Sequence, residues 1–485
     1  MSERITGKKV ATNWLWRFFE RCSAQIVTFI VGIVLARVLG PKAYETIAIV
    51  TVITAILEVF VTSGFGSALI QKKDADDLDF STAFYFNVGI CVVLYVLLFV
   101  SAPFISRFYD KPELTKIIWV EGTILIIAGI KNIQHAYVSR HMIFRKFFFS
   151  TLFGTLISGV VGIVLALSGA GVWALVAQSL LNPFIDTIVL WITVKWRPKR
   201  MYSWKSLKTL FSYGWKLLVS GLLDTITTKT SSFIISKQAS DDPNLSYYQK
   251  GESFPSLLTG SINASINSVL LPALSSEQDK KERVKLMTRR AIKTSSFLIM
   301  PMMAGLAVCA DSIVYLLLGP AWMPCVPFLQ IFCLIYAFYP IHTANLNAIK
   351  AIGKSDIFLI LEIIKDSVSI ALVIVCAKYG AKAVAFAVLG GSFFSQFVNA
   401  YPNRKLINYG YLKQIFDLLP TIALTIVMAG IVYLIGLNNG NGLLTLIKQV
   451  FFGTTFYFLL AQLFKLESFE YVKKLGSEIF SRNKI

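Results

Sequence analysis

The sequence predicts an all-α integral membrane protein, and three observations carry that expectation. The 485 residues are 55% hydrophobic and 15% charged, with mean hydropathy +0.64, whereas a soluble chain has roughly a quarter charged residues. The apolar residues fall in runs of about 20, the length at which a helix spans a bilayer. The charges stand between the runs. The formal net charge of +20 therefore reads as membrane orientation, not as the basic face of a nucleic-acid-binding domain, and no nucleic-acid partner is expected.

Apolar windows of spanning length lie at 14–37, 44–66, 82–104, 114–136, 147–168, 172–194, 213–236, 253–274, 293–318, 326–349, 357–377, 382–401, 417–437 and 443–464, fourteen in all. The first follows Arg4, Lys8 and Lys9 as a signal peptide would, but it runs past Val34 without a small-residue cleavage site and is read as a retained helix. Pro183, Pro255, Pro301 and Pro340 sit inside windows, which membrane helices tolerate when neighbours satisfy the freed carbonyls. With the amino terminus on the cytoplasmic side, and with residues at window edges counted in the adjoining loop, 31 Lys and Arg fall inside, 9 outside and 7 in spans. That bias places both termini in the cytoplasm. All nine Trp fall near window ends, as residues of a membrane interface do. The two longest loops, RPKRMYSWKSLK and SSEQDKKERVKLMTRR, are basic and too short for a catalytic domain. In the tail, Phe469, Val472, Leu475 and Ile479 share one helical face beside lysines, which suits the inner membrane surface. The six cysteines show no CxxC and no nearby His, and read as apolar packing residues.

The two halves repeat. IVLARVLGPKAYE closes the first window and IISKQASDDPNLSYY the seventh; GAGVWALVA enters the sixth and YGAKAVAFAV the twelfth. Six spans per half is an even number, so the halves are related by an axis along the membrane normal, as in transporter repeats. The expected organisation is an N-terminal lobe at 1–195, a basic cytoplasmic linker at 196–212 and a C-terminal lobe at 213–401. Two extra helices follow at 402–465, then an amphipathic tail at 466–485.

Strings spread over nearly the whole chain carry a further resemblance: LARVLGPKAY, SGFGSALIQKKD, GAGVWALVAQ, SWKSLKTLFSYGWKLLVSGLLD, YYQKGESFPSLLTGSINASINSVLLPALSS, LLGPAWMPCVPFLQIFCL and NLNAIKAIGKSD. The chain resembles Wzx-type lipid-linked oligosaccharide flippases, the polysaccharide transporter branch of the MOP/MATE flippase superfamily. It departs from them at PKAYET and at Gln249 and Lys250, which bears on substrate subtype. The resemblance implies a fourteen-helix, two-lobed V shape. It also implies translocation of undecaprenyl-pyrophosphate-linked oligosaccharide across the bacterial inner membrane for O-antigen, capsule or exopolysaccharide assembly. The rival is a MATE-type cation-coupled drug exporter, which calls for an acidic, aromatic cavity. By analogy with the lipid II flippase, the last two helices would form a groove for the prenyl chain. No enzymatic activity is expected, because no extramembrane catalytic domain is present, and no Walker A string is found.

Passing a pyrophosphate through hydrocarbon calls for cations facing a water-filled cavity, and an ionisable residue within a span is a functional candidate because it is costly there. Arg17, Arg21, Lys131, Lys216, Lys229 and Lys365 are the candidates for substrate binding; Arg17 and Arg21 share a helical face, and Arg grips phosphate oxygens bidentately. The competing reading is that Arg17, Lys131 and Lys216 snorkel toward the cytoplasmic face. Glu58, Asp186, Asp224 and Glu362 are candidates for ion coupling with H+ or Na+, the alternative being internal ion pairs such as Asp224 with Lys229 or Lys216, and Glu362 with Lys365. His135 and His342 read as polar packing, so no metal or other cofactor is expected. DADD at 74–77 spells the DxD of nucleotide-sugar enzymes but reads as a solvated loop. The expected partners are the lipid-linked oligosaccharide, membrane lipid and the polysaccharide polymerase machinery, with the flippase itself a monomer working by alternating access.

Overall fold

The computed structural model describes residues 7–62, 64–72, 74–141, 143–238, 242–439, 442–471 and 473–474, with side chains from Ser23 onward save at a few positions. Every regular element among these residues is helical. The chain forms two compact units, Met1–Ser246 and Tyr247–Ile485.

The first unit opens with α1 (Gly7–Thr62), which bends at Gly40, where φ 71 and ψ 177 break the helix before Pro41. That backbone region is essentially restricted to glycine, so the Gly-Pro pair converts one long apolar run into two limbs. Next come α2 (Phe65–Gln71), α3 (Asp77–Phe108), α4 (Glu113–Glu121), α5 (Ile124–Arg140), α6 (Phe144–Leu167), α7 (Val172–Thr193) and α8 (Trp204–Lys237). Helix α6 packs between α1 and α7. A β-carbon at Gly154 would stand 2.8 Å from the Asn182 carbonyl oxygen, so only glycine permits this approach of α6 to α7.

The second unit is built from α9 (Asn244–Ser275), which begins three residues before the unit boundary, followed by α10 (Lys281–Val308) and α11 (Ala310–Leu317). A 3-10 turn at Pro320–Cys325 leads to α12 (Val326–Ala337), α13 (Tyr339–Ala351), α14 (Ser355–Cys376), α15 (Ala381–Ala400) and α16 (Asn403–Leu406). Two long helices, α17 (Tyr411–Asn439) and α18 (Leu443–Leu463), close it.

Both units are apolar outside. On α3, Val93, Leu97, Val100 and Phe104 form one exposed stripe while Ser81, Thr82 and Asn87 are buried. That distribution suits lipid rather than water as the solvent, and the protein is a multi-pass membrane protein. Helical elements overlie all fourteen apolar windows. Among the described residues, nine stretches are both long and apolar enough to cross a bilayer, the first being Ser23–Ile70, a bent segment that covers the second window and the later part of the first. The windows at 114–136, 213–236, 253–274 and 357–377 fall outside those nine for local reasons. The first is interrupted between α4 and α5, α8 is rich in Ser and Thr and α9 in Ser and Asn, and α14 carries Glu362, Lys365 and Asp366.

Two expectations change. Trp322 is fully buried and Trp196 nearly so, so tryptophan at a window end is not always interfacial here. Trp196 packs against Phe80 and Tyr137 and donates from Nε1 to Asp77 Oδ1 at 3.2 Å. The DADD segment is not a solvated loop throughout. Asp76 caps α3, and its neighbour Asp79, 3% exposed, accepts from Lys72 Nζ at 2.6 Å and from Ser206 Oγ at 2.5 Å. Cys91, Cys309, Cys325 and Cys333 are free and buried, and Cys376 is free and partly exposed.

Candidate functional site

In the first unit the ionisable residues of α5 and α7 meet. Lys131 and His135 are four residues apart, hence on one face of α5, and that face turns to α7. Lys131 Nζ lies 3.0 Å from Asp186 Oδ2, and His135 Nε2 lies 3.7 Å from the same oxygen. Asp186 is 5% exposed. Pro183 interrupts the hydrogen-bond ladder one turn before it; Thr187 Oγ1 donates to the Pro183 carbonyl at 2.6 Å, and Asn182 Nδ2 donates to Thr155 Oγ1 at 3.4 Å. Glu58 on α1 is within electrostatic reach of Lys131. Beside Lys131, Asn132 Nδ2 donates to the Val61 carbonyl at 2.6 Å and ties α5 to the end of α1.

Two buried carboxylates join this list that sequence reasoning passed over. Glu121, at the end of α4, accepts from Ser179 Oγ at 2.8 Å and is electrostatically coupled to Glu58. Glu45, 4% exposed, accepts from the Ser246 backbone N–H at 2.7 Å and so anchors the start of α9. Both are acidic residues inside apolar windows, and the rule that selected Glu58 would have selected them.

The remaining candidates are placed differently. Lys216 and Asp224 are exposed on α8 and Lys229 is half-buried there. Among the described residues, no ion pair joins Asp224 to either lysine. On α14 of the second unit, Lys365 is 7% exposed and its Nζ lies 2.5 Å from Glu362 Oε1. His342 Nδ1 stands 2.7 Å from Asn399 Nδ2, a polar-packing contact. Arg17 and Arg21 lie on α1, where side chains are outside the described residues. No group of three His, Cys, Asp or Glu among the described residues could hold a metal ion.

Taken together, apolar outer faces and charges paired inside helical bundles define a multi-pass membrane protein with a polar interior able to stabilise charge away from water. The fold resembles that of a solved structure of the lipid II flippase MurJ, with TM-score 0.76 at 17% identity over 94% of this chain and 98% of that one. The chain belongs to the polysaccharide biosynthesis protein family, which matches residues 34–327. Among its relatives, the succinoglycan biosynthesis transport protein ExoT of Rhizobium meliloti is 21% identical over 357 residues, 74% of this chain and 72% of that one. The lipopolysaccharide biosynthesis protein WzxC of Escherichia coli K12 is 21% identical over 377 residues, 76% and 74% respectively. The Wzx-type resemblance read from the sequence strings is borne out.

Proposed function

We infer that this protein is a flippase that moves undecaprenyl-pyrophosphate-linked oligosaccharide repeat units across the inner membrane by alternating access, supplying surface polysaccharide assembly. The observation that carries the reading is membership of the polysaccharide biosynthesis protein family over residues 34–327, supported by relatives named for transport and lipopolysaccharide synthesis. The chemistry agrees with a diphosphate cargo. A passing pyrophosphate needs cations that can exchange partners, and Lys131 and Lys365 are each held by a carboxylate that an incoming anion would displace. Arg17, Arg21, Lys216 and Lys229 complete the proposed set, with Glu58, Asp186, Asp224 and Glu362 as sites for H+ or Na+. In this reading fourteen helices span the membrane as two six-helix lobes and a further pair, the termini face the cytoplasm, and the monomer carries out transport without covalent chemistry.

The test uses a strain lacking the gene and a quantitative surface-glycan assay. Arg21→Ala and Lys229→Ala are expected to abolish surface glycan while membrane levels of the protein hold. Full complementation by both variants overturns the basic-site assignment. Purified protein in vesicles that exports a cationic dye but leaves labelled lipid-linked oligosaccharide in place would instead favour the MATE-type exporter.

A further inference from the structure

A basic cavity in the second unit is unrelated to the residues proposed for transport. It encloses about 680 Å³ between the first turns of α10, the end of α9 and the segment that follows α18. Four cations line it: Arg283, Arg289, Arg290 and Lys293, facing Glu467 and Tyr471. Arg289 is fixed as the rear wall, its Nε and Nη2 donating to Asp417 at 2.8 and 2.7 Å. Arg290 stacks over the Tyr471 ring at 4.7 Å. Lys293 is paired with Glu467, and Ser468 Oγ donates to the Lys293 carbonyl at 3.3 Å, holding the opposite wall in place. Arg283, whose side chain is 66% exposed, lies 3.7 Å from Glu277.

The geometry points to a binding site for the phosphate of an anionic phospholipid. Arg283, Leu286, Met287 and Arg290 recur at helical spacing, so α10 presents two cations with an apolar patch between them. Leu286 is 57% exposed. A free phosphate has no use for that patch, whereas a phospholipid lays its glycerol and first methylenes there while the arginines take the phosphate. Basic pockets between membrane helices on the cytoplasmic side hold lipid head groups in this way, and the basic stretch SSEQDKKERVKLMTRR, which runs from the end of α9 into the first turns of α10 beside this cavity, is cytoplasmic in the proposed orientation. Glu467, whose side chain is 64% exposed, is exchangeable, since exposed ion pairs contribute little, and a headgroup phosphate replaces it.

The experiment titrates the full-length protein in neutral detergent with dioctanoyl phosphatidylglycerol, dioctanoyl phosphatidylcholine and inorganic phosphate, reading bound lipid by native mass spectrometry and phosphate by competition. Phosphatidylglycerol should bind in preference to phosphatidylcholine. The double variant Arg283→Ala/Arg290→Ala should weaken it on the order of thirtyfold, at about one kcal/mol per cation, and Arg404→Ala/Lys405→Ala should not. Equal binding of the two lipids, or unaltered binding by the double variant, overturns the site. Displacement of the lipid by inorganic phosphate at similar concentration overturns the lipid assignment. Should the double variant fail to fold, Glu467→Gln serves: removing the competing carboxylate should tighten phosphatidylglycerol by about threefold, and an unchanged affinity counts against the proposal.

Discussion

Lys131 Nζ on α5 lies 3.0 Å from Asp186 Oδ2 on α7, a pair closed across 55 residues of sequence and buried at its acidic end. A buried pair adds little net stability over an apolar isostere, yet losing one partner strands the other. Lys131→Ala should therefore destabilise the detergent-solubilised protein by about 3–5 kcal/mol, while Lys131→Ala/Asp186→Asn should recover most of that loss. Thermal melts of the single and double variants give the coupling. Additive losses would show that the pair is not a unit. If the lysine also meets the diphosphate, the double variant should be stable and inactive.

The aspartates of the DADD segment and the start of α3 should differ in weight. Asp79 is buried, receives Lys72, Ser206 and the Asp76 backbone N–H, and so ties the start of α3 to α8. Its replacement by Ala should cost about 2–3 kcal/mol. Asp77 meets Lys199 and Trp196 at a surface 47% exposed on its side, so Asp77→Ala should cost under about 1 kcal/mol. Chemical or thermal denaturation ranks them; a larger loss for Asp77 would contradict the structure.

Much of the architecture was legible because apolar run length is a strong signal in lipid: a helix lies over every window. The windows that fall outside the nine long apolar stretches are informative. Three of those four contain Lys131, Lys216, Lys229, Asp224, Glu362 or Lys365, so residues to which function was assigned cluster in the windows that depart from a plain apolar run. Partner identity was less legible. Glu362 with Lys365 follows from i, i+3 spacing, but Lys131 with Asp186, Asp79 with Ser206 and Arg289 with Asp417 join residues 55 to 128 positions apart, and no local period encodes them. Trp322 misled for a related reason: a window end can be covered by its own bundle, here by Tyr247.

Topology can be checked independently of transport. Asp110 sits in the turn between α3 and α4 with φ 53, and Arg200 is exposed in the segment before α8. Single cysteines at these positions in a background lacking the native cysteines should react with an impermeant maleimide from outside at 110 and only after permeabilisation at 200. The opposite pattern would invert the orientation drawn from the Lys and Arg bias.

The contact that holds the tail segment against α10 should fade in acid. Lys293 donates to Glu467 and, with Arg289 nearby, keeps that carboxyl below the ordinary glutamate range. A carboxylate whose folded pKa is depressed contributes stability that is fully present above its unfolded pKa, about 4.3, and that contribution is lost as pH falls through the folded value. Wild-type protein should therefore melt slightly higher than Glu467→Gln at pH 7, with the two curves converging below about pH 4. The gap should be small, because the Glu467 side chain is 64% exposed and solvent screens the pair. High salt should shrink the gap at pH 7 as acid does, since both act on the same charge pair. A gap that persists in acid would mean that Glu467 stabilises the tail through packing, and that Lys293 is not released when its partner is protonated.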